Sequence, residues 1–279
     1  EKTMAITKET KTKGVKMSNT DITKKNTGNV PVSLTDMEKF SGAGFEEANS
    51  DSYAIPFLQI LQKMSDQTDP EHASYLQGAK AGQFANLTTG KLFDGKQGIQ
   101  IIPCHYSRKF VEWVPREKGG GLRGVHMPDS DVVQNANQSP KNPLELITDE
   151  GNILSDTRYH FVLQLVNGQP EPIVLTMKSS QIKKSRSWMT RMQNLTIKRK
   201  DGTRFTAPMF SHIWTLTTKQ ETNDRGSWYG YFIDGEPVVI ENENIFKKAQ
   251  EFRDMAKSGD AKISGDPLES DSSSKDSRF

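Results

Sequence analysis

A run of basic residues between positions 176 and 205 is the feature of the sequence most suggestive of chemistry. Its thirty positions hold nine Lys and Arg against one acid, Asp201, while the chain of 279 residues carries a formal net charge of only +2. One Trp and three Met are interleaved with the cations. Like charges at this density repel one another unless water solvates them or an anion lies among them. The run therefore predicts either a solvated basic surface or a binding site for a polyanion.

Helical spacing divides this run into a helix and a turn. Residues 179–195, SSQIKKSRSWMTRMQNL, are predicted to form a helix with an apolar face around Trp188 and a basic face on the other side. The turn that follows, KRKDG, adds further cations. The candidate contacts of this run with a polyanion are Lys183, Lys184, Arg186, Trp188, Arg191, Lys198, Arg199 and Lys200.

Aromatic and basic residues are interleaved in two stretches with the composition of β-strands, HYSRKFVEWVPR and GSWYGYF. Single-stranded nucleic acid is bound by this combination, because bases stack on aromatic rings while Lys and Arg contact the phosphates. The alternative is that the rings fill the core. Alternation places Tyr106, Arg108 and Phe110 on one face of their strand. The candidate DNA-binding residues of these stretches are Tyr106, Arg108, Lys109, Phe110, Trp113, Arg116, Trp228 and Tyr231.

Residues in catalytic arrangements are few. The five His residues show no metal-ligand spacing with Cys104 or with one another. Cys104 and His105 would point to opposite faces of a strand, so Cys104 is expected to be a core thiol. The glycine-rich REKGGGLRG lacks the Gly-Lys-Ser/Thr ending of a nucleotide-triphosphate loop. The sequence therefore predicts no enzyme, no metal and no cofactor. A metal-dependent nuclease is the catalytic alternative, with acids drawn from Asp129, Asp131, Asp156 and Glu171.

Composition indicates one polar, cytoplasmic domain with tails. Hydrophobic residues make up 33% of the chain, and the mean hydropathy is −0.69. The absence of any run of about eighteen apolar residues predicts no membrane span, and a single cysteine fits a reducing compartment. The Lys-rich residues 1–34 are expected to be a disordered basic arm, and residues 259–279 a disordered polar to acidic tail. A single domain over residues 35–258 is left between them.

Periodicity predicts the elements of the first half of that domain. Short helices are expected at residues 33–40 and 51–65, the second from the apolar spacing of DSYAIPFLQILQKMS. Strands are expected over residues 80–114, with a kink at Pro103. Residues 116–143 are expected to be a long loop.

The second half begins with a predicted hairpin around Asn167-Gly168, which precedes the basic helix. Two strands around NDRG follow, and then a helix from Glu241 or Asn242 to just before Gly259. Five or six antiparallel strands in this order predict an α+β fold. The favoured form is an OB-like barrel with a helix between the third and fourth strands and a C-terminal helix. Other antiparallel α+β sheets also fit.

Four stretches carry a resemblance to a known family: YAIPFLQILQK, IIPCHYSRKFVEWVPREKGGGLRG, DTRYHFVLQL and SSQIKKSRSWMTRM. Together they resemble a family of tailed-bacteriophage single-stranded DNA-binding proteins found among replication and recombination genes. The resemblance covers about residues 50 to 235. It implies a non-catalytic role in phage replication or annealing, in the host cytoplasm. Separately, Asp266, Glu269, Asp271 and Asp276 precede Phe279 and resemble the acidic tails by which phage and bacterial single-strand binders hold partners. Phage or host replication proteins are therefore expected as partners through the C-terminal tail.

Three hypotheses of function follow. The first is a single-stranded DNA-binding protein that coats unwound DNA with little sequence preference. The second is a non-enzymatic phage adaptor or assembly protein whose basic run meets an acidic protein surface. The third is the metal-dependent nuclease.

Overall fold

The computed structural model describes residues 33–48, 52–140, 145–224, 226–261 and 263. The chain divides into two compact units, residues 1–47 and 48–279. In the first unit, helix α1 spans Leu34–Glu38, which confirms the short helix predicted at residues 33–40. The predicted basic arm lies outside the described residues except for its last two positions. Of the predicted tail, only residues 259–261 and 263 are described.

The described part of the second unit is mostly antiparallel β-structure with three helices. The strands are β1 (Leu58–Ile60), β2 (Phe84–Asn86), β3 (Leu92–Phe93), β4 (Ile99–Trp113), β5 (Leu122–His126), β6 (Asn137–Gln138), β7 (Glu145–Ile147), β8 (Ile153–Val166), β9 (Gln169–Lys178), β10 (Thr196–Lys198), β11 (Arg204–Thr206), β12 (His212–Asn223) and β13 (Gly226–Val239). The helices are α2 (Asp131–Gln134), α3 (Ile182–Gln193) and α4 (Glu243–Ser258).

An eight-stranded sheet curls into a half-barrel in the order β13-β12-β4-β8-β7-β6. Strand β4 pairs with β8 along most of its length, while its other edge pairs first with β12 and then with β5. Strand β9 pairs with β8. The α+β class and the antiparallel sheet are as predicted. The basic helix α3 follows β9 instead of the third strand, because short strands within the predicted loop had no sequence signal of their own.

The two faces of this sheet are covered by different elements. On one face, here called the α3 face, Ile101 and Val162 pack with Trp188 of α3 and with the three-stranded sheet β1-β2-β3. On the other, the α4 face, Ile102 and Phe161 pack against α4. Neighbouring residues of β4 and β8 thus point in opposite directions into two cores. This explains why these strands are apolar on both faces.

The helix predicted for residues 51–65 is wrong. Ile55 and Phe57 form β-bridges, Phe57 with Val174 of β9, and the chain continues into β1. A short apolar run fits a buried strand as well as a helix, and here the extended backbone pairs with β9 and β2. Met64, one of the apolar residues whose spacing predicted the helix, is 94% exposed.

Other local predictions are confirmed by the backbone. Asn167 and Gly168, between β8 and β9, both have positive φ, at 51° and 77°, as a tight hairpin turn requires. The pairing of β4 with β8 shifts register between Pro103 and His105, where the kink was predicted.

Residues 116–143 were predicted to be a loop, but they contain β5, α2 and β6.

Candidate nucleic-acid interface

Helix α3 lies along the outer edge of β13, and side chains of α3 and of the residue before it form hydrogen bonds with backbone groups of that strand. The side-chain carbonyl of Gln181, just before α3, accepts a hydrogen bond of 3.0 Å from the Tyr231 backbone N–H. One turn from the end of α3, the Arg191 guanidinium donates to the carbonyls of Ile233, at 3.3 Å, and Gly235. The basic helix is thereby fixed against the aromatic strand, two features that the sequence leaves far apart.

A cleft of about 420 Å³ opens between α3 and β13. We call it the α3–β13 cleft. Its lining is Lys183, Lys184, Ser187, Trp188, Arg191, Tyr231, Phe232 and Ile233. Five of these eight residues come from the sequence-predicted candidates. The cleft has three cations from one helix beside an apolar wall from one strand, an arrangement that suits an anion with an apolar part.

The cations of the cleft differ in how many ion pairs and other contacts they already make within the protein. Lys184 forms an ion pair with Glu221 of β12, and burial, followed by the nearby charge of Lys219, lowers the pKa of Lys184. Arg191 lies 4.9 Å from the ring centroid of Trp214, in addition to its bonds to β13. Within the described part of the chain, Lys183 forms no ion pair and is exposed. Lys183 is therefore the cation of the lining with most freedom to bind an added anion.

Further groups extend the positive surface beyond the cleft. Arg186 is exposed on α3 and has no ion-pair partner among the described residues. Lys219 of β12 lies over the ring of Phe232, with 3.2 Å from Nζ to the centroid. Trp228, half-buried on β13, donates a hydrogen bond of 3.2 Å from its indole N–H to Glu221. Glu221 thus holds both Lys184 and Trp228 at one end of the surface.

Three aromatic rings of the candidate DNA-binding set are buried in the structure. Trp188 is 1% exposed, Tyr231 5% and Phe110 5%. Trp188 packs against His160 and Trp214, with centroid distances of 4.9 and 6.0 Å. A ring enclosed in this way offers no face to a base. Trp188 was predicted on the apolar face of its helix and is buried there. For Tyr231 and Phe110, alternation along a strand gives the side of a residue but not which side is covered, so the sequence could not separate these two rings from exposed ones.

The surroundings of Tyr231 and Phe110 account for their burial. The hydroxyl of Tyr231 donates to the carbonyl of Leu58 at 3.1 Å, and burial raises the pKa of this hydroxyl. Phe110 packs with Val133 of α2 and Leu154 of β8. Tyr231 therefore packs the eight-stranded sheet against the three-stranded sheet, and Phe110 packs it against α2.

The turn after α3 is a separate hairpin, β10–β11, whose Lys198, Arg199 and Lys200 are all exposed. Arg199 lies 4.7 Å from the ring centroid of Phe205 and donates to Thr203 at 3.2 Å. Hydrogen bonds from Thr203 lower the pKa of Asp201, the one acid of the basic run. The Ala207 N–H donates to the Leu195 carbonyl at 2.8 Å and ties the hairpin to the end of α3.

The candidates on β4 divide between the two faces of the sheet. Tyr106, Arg108 and Phe110 share the α3 face, as alternation predicts, since their partners on β8 are His160, Arg158 and Asp156. Arg108 and Arg158 both bind Asp156, at 2.9 and 2.8 Å, and Arg158 donates to the Tyr106 hydroxyl at 2.7 Å. Tyr106 and Arg108 are therefore tied to Arg158 and Asp156 in one network, at whose edge the Arg108 side chain is exposed.

The remaining β4 candidates lie elsewhere. Lys109 and Trp113 lie on the α4 face and line no part of the α3–β13 cleft. Arg116 is exposed in a single helical turn after β4. The structure therefore does not assemble the two aromatic-basic stretches into one site.

The predicted nuclease acids are not gathered together. Asp156 is engaged by two Arg residues, and Glu171 forms an ion pair of 3.0 Å with Lys91. Among the described residues, no group of three or more His, Cys, Asp and Glu side chains could hold a metal ion. Cys104 is buried as predicted, and burial raises the pKa of its thiol.

Sequence reasoning missed Lys219 and Ser187 at this surface, and it included Phe232 in the aromatic stretch GSWYGYF without selecting it as a candidate. Alternation places Lys219 and Phe232 on the same face, because Thr217 pairs with Phe232 and lies two residues from Lys219. The signal was therefore present in the strand pattern of TLTTKQET and GSWYGYF. It could be read only once the register of the two strands was known.

Among the described residues, no helix combines the length and apolar character needed to cross a membrane. No curated protein and no solved structure matches the chain. The model of a family described as Pam3 phage gp34-like protein matches residues 16–262, which is most of the sequence. The chain therefore belongs to this bacteriophage family, the Pam3 phage gp34-like proteins.

Proposed function

We propose that the chain is a phage single-stranded DNA-binding protein that coats unwound DNA during replication or recombination, in the manner of OB-type barrels. The observation that carries this proposal is the α3–β13 cleft, where Lys183, Lys184 and Arg191 surround an apolar wall. Single-strand binders combine a positive groove for the backbone with aromatic platforms for the bases. The cleft and its surroundings supply both kinds of group.

Phosphate binding is assigned to the cations with the fewest partners. Lys183 and Arg186 project from α3, and Lys198 and Lys200 from the hairpin tied to its end. These side chains all come from the basic run of residues 176–205, and none is ion-paired within the described chain. Lys184 and Arg191 are given a different role, that of holding the helix on β12 and β13. Their removal would disturb the surface as well as its charge.

Base stacking is assigned to Trp228 and Phe232, two half-buried rings of β13. Phe232 lines the cleft, and Lys219 lies over its ring. Every base has a π-face, so stacking on these rings is tolerant of sequence. A protein that binds through phosphates and ring faces coats DNA with little sequence preference.

The test is a titration with oligo-dT of about 16 nucleotides, the upper end of typical site sizes, followed by anisotropy of a labelled oligonucleotide and by tryptophan fluorescence. We expect binding at low NaCl that weakens steeply with salt, since phosphate contacts release counterions. Duplex DNA of equal length is the control and should bind more weakly. Binding that ignores salt, or no binding at low salt, would refute the proposal.

A protein-binding adaptor is the second candidate, favoured by one observation in the first unit. Leu34, Met37, Phe40 and Phe45 are 83%, 56%, 72% and 62% exposed. Four large apolar side chains exposed within twelve residues are typical of a segment that docks on a partner. In an adaptor, substitution of Leu34 and Phe40 by Ser would abolish partner capture, and oligo-dT would not bind.

A further inference from the structure

A second groove lies on the α4 face of the eight-stranded sheet and shares no lining residue with the α3–β13 cleft. Its volume is about 220 Å³. The apolar lining comes from Phe57, Val111, Trp113, Leu122, Val125 and Tyr159. No residue of α4 takes part, so this end of the sheet is left open.

Strand register explains why these side chains meet. Val111 of β4 pairs with Val125 of β5, and Tyr159 of β8 pairs with Thr176 of β9. Ser107, four residues before Val111 on β4, pairs with Tyr159, so all four side chains project from the same face. Trp113 and Leu122 are also paired, at the rim, and are 38% and 37% exposed. An indole ring held beside a second exposed apolar side chain forms an open wall rather than a closed core.

Two lysines flank this wall without compensating acids. The Nζ of Lys178 lies 5.9 Å from the ring centroid of Trp113, and the Nζ of Lys109 lies 5.2 Å from that of Tyr159. No acidic residue lines the groove, and neither lysine forms an ion pair within the described chain. The groove is thus an apolar slot with positive charge at its rim, complementary to a flat apolar group attached to an anion.

We propose that this groove binds one base of a single-stranded nucleic acid, stacked on Trp113, with the adjoining phosphate at Lys178. Its volume is below the roughly 300–1,000 Å³ of pockets for drug-sized ligands, and it suits one ring system. Gln59 and Thr176 supply an amide and a hydroxyl to the lining for the polar edge of the base. This inference rests on the proposed function, to which it adds a second contact on the opposite face of the sheet.

The test uses the distribution of the four tryptophans. Trp188 and Trp214 are each 1% exposed, so Trp228→Phe leaves Trp113 as the accessible indole. We expect oligo-dT of about 16 nucleotides to quench the fluorescence of this variant. In the otherwise unchanged chain, Trp113→Ala should weaken binding about 5- to 150-fold, the range for loss of one stacked base. Lys178→Ala should lower the slope of log affinity against log salt by about 0.7.

The outcomes separate this inference from the proposed function. If oligo-dT binds by anisotropy but neither quenches Trp113 nor responds to Lys178→Ala, the groove is not a base site and the proposed function stands. If oligo-dT does not bind at all, both fail. Quenching by an acidic, aromatic peptide but not by oligo-dT would overturn the inference in favour of a protein ligand. Circular dichroism of each variant confirms that the fold is retained.

Discussion

Tyr231 shows how an aromatic residue in a basic neighbourhood can serve the fold instead of a ligand. Its ring stacks on Phe84 of the small sheet at 6.2 Å, and its hydroxyl donates to the Leu58 carbonyl. We expect Tyr231→Phe to lower the free energy of unfolding by about 0.5–1.5 kcal/mol, the typical net contribution of one hydrogen bond. Urea denaturation measures this change. Affinity for oligo-dT should stay the same, and a loss of affinity at unchanged stability would return Tyr231 to the binding surface.

His160 is a buried residue whose protonation is coupled to stability. It is buried between Tyr106 and Trp188 and forms a hydrogen bond of 2.8 Å with Ser185 of α3. Burial, and secondarily the charge of Arg158, lowers the pKa of His160 from 6.5 to about 3. In the unfolded chain His160 is therefore protonated as the pH falls through about 6.5, whereas in the folded chain it is protonated only near pH 3. Stability is lost as the pH falls through this window.

We expect this single residue to cost about 2 kcal/mol of stability between about pH 7 and about pH 5. Urea denaturation at the two pH values measures the loss. His160→Gln is the matched variant, because an amide can still bond to Ser185 but does not titrate. The variant should lose less stability over the same interval than the original chain. Equal losses in the two proteins would show that folding does not lower the pKa of His160.

At the scale of elements, the outer edge of β13 is closed by side chains instead of another strand. Gln62 accepts from the Tyr229 N–H at 2.8 Å and donates to the Tyr229 carbonyl at 2.9 Å. Gln181 accepts from the Tyr231 N–H, and Arg191 donates to the carbonyls of Ile233 and Gly235. From Tyr229 to Gly235, every second residue of the edge thus has a side-chain hydrogen-bond partner. An open sheet edge pairs readily with a second chain, so these side chains favour the monomer.

We expect the double variant Gln62→Ala, Gln181→Ala to associate through the freed edge of β13. Light scattering after size exclusion should show a mass that rises with protein concentration. Gln250→Ala, an exposed residue of α4, is the control and should leave the mass unchanged. A double variant that stays monomeric while losing only stability would show that α3 and the small sheet cover the edge without these amides.

The elements that were predicted correctly are those whose signals are local. The turn at Asn167-Gly168 and the cap at Asn242, whose side chain accepts from two N–H groups of α4, depend only on neighbouring residues. The helix predicted at residues 51–65 failed because its apolar residues pair with β9, more than a hundred residues away. The α3–β13 cleft could not be predicted for the same reason. Its cations were recognised, but their neighbours are set by long-range packing.

At the scale of the whole molecule, the arrangement of charge matters more than its sum. A net charge of +2 gives little attraction to a polyanion. The cations without ion-pair partners lie on α3 and on the hairpin that directly follows it in the chain, whereas Arg108 and Arg158 share an ion pair with Asp156. The proposed affinity for DNA should therefore depend on where a cation lies rather than on how many there are.

This dependence is tested with two double variants of equal charge. Lys183→Ala with Arg186→Ala removes the exposed cations of α3, and Lys247→Ala with Lys248→Ala removes two exposed lysines of α4. Each phosphate contact contributes about 0.7 to the slope of log affinity against log salt for single strands. We expect the α3 variant to lower that slope by about 1.4, and the α4 variant to leave it nearly unchanged. Anisotropy of labelled oligo-dT over a series of NaCl concentrations gives both slopes. Equal effects of the two variants would mean that DNA is attracted by overall charge, and the α3–β13 cleft would lose its role.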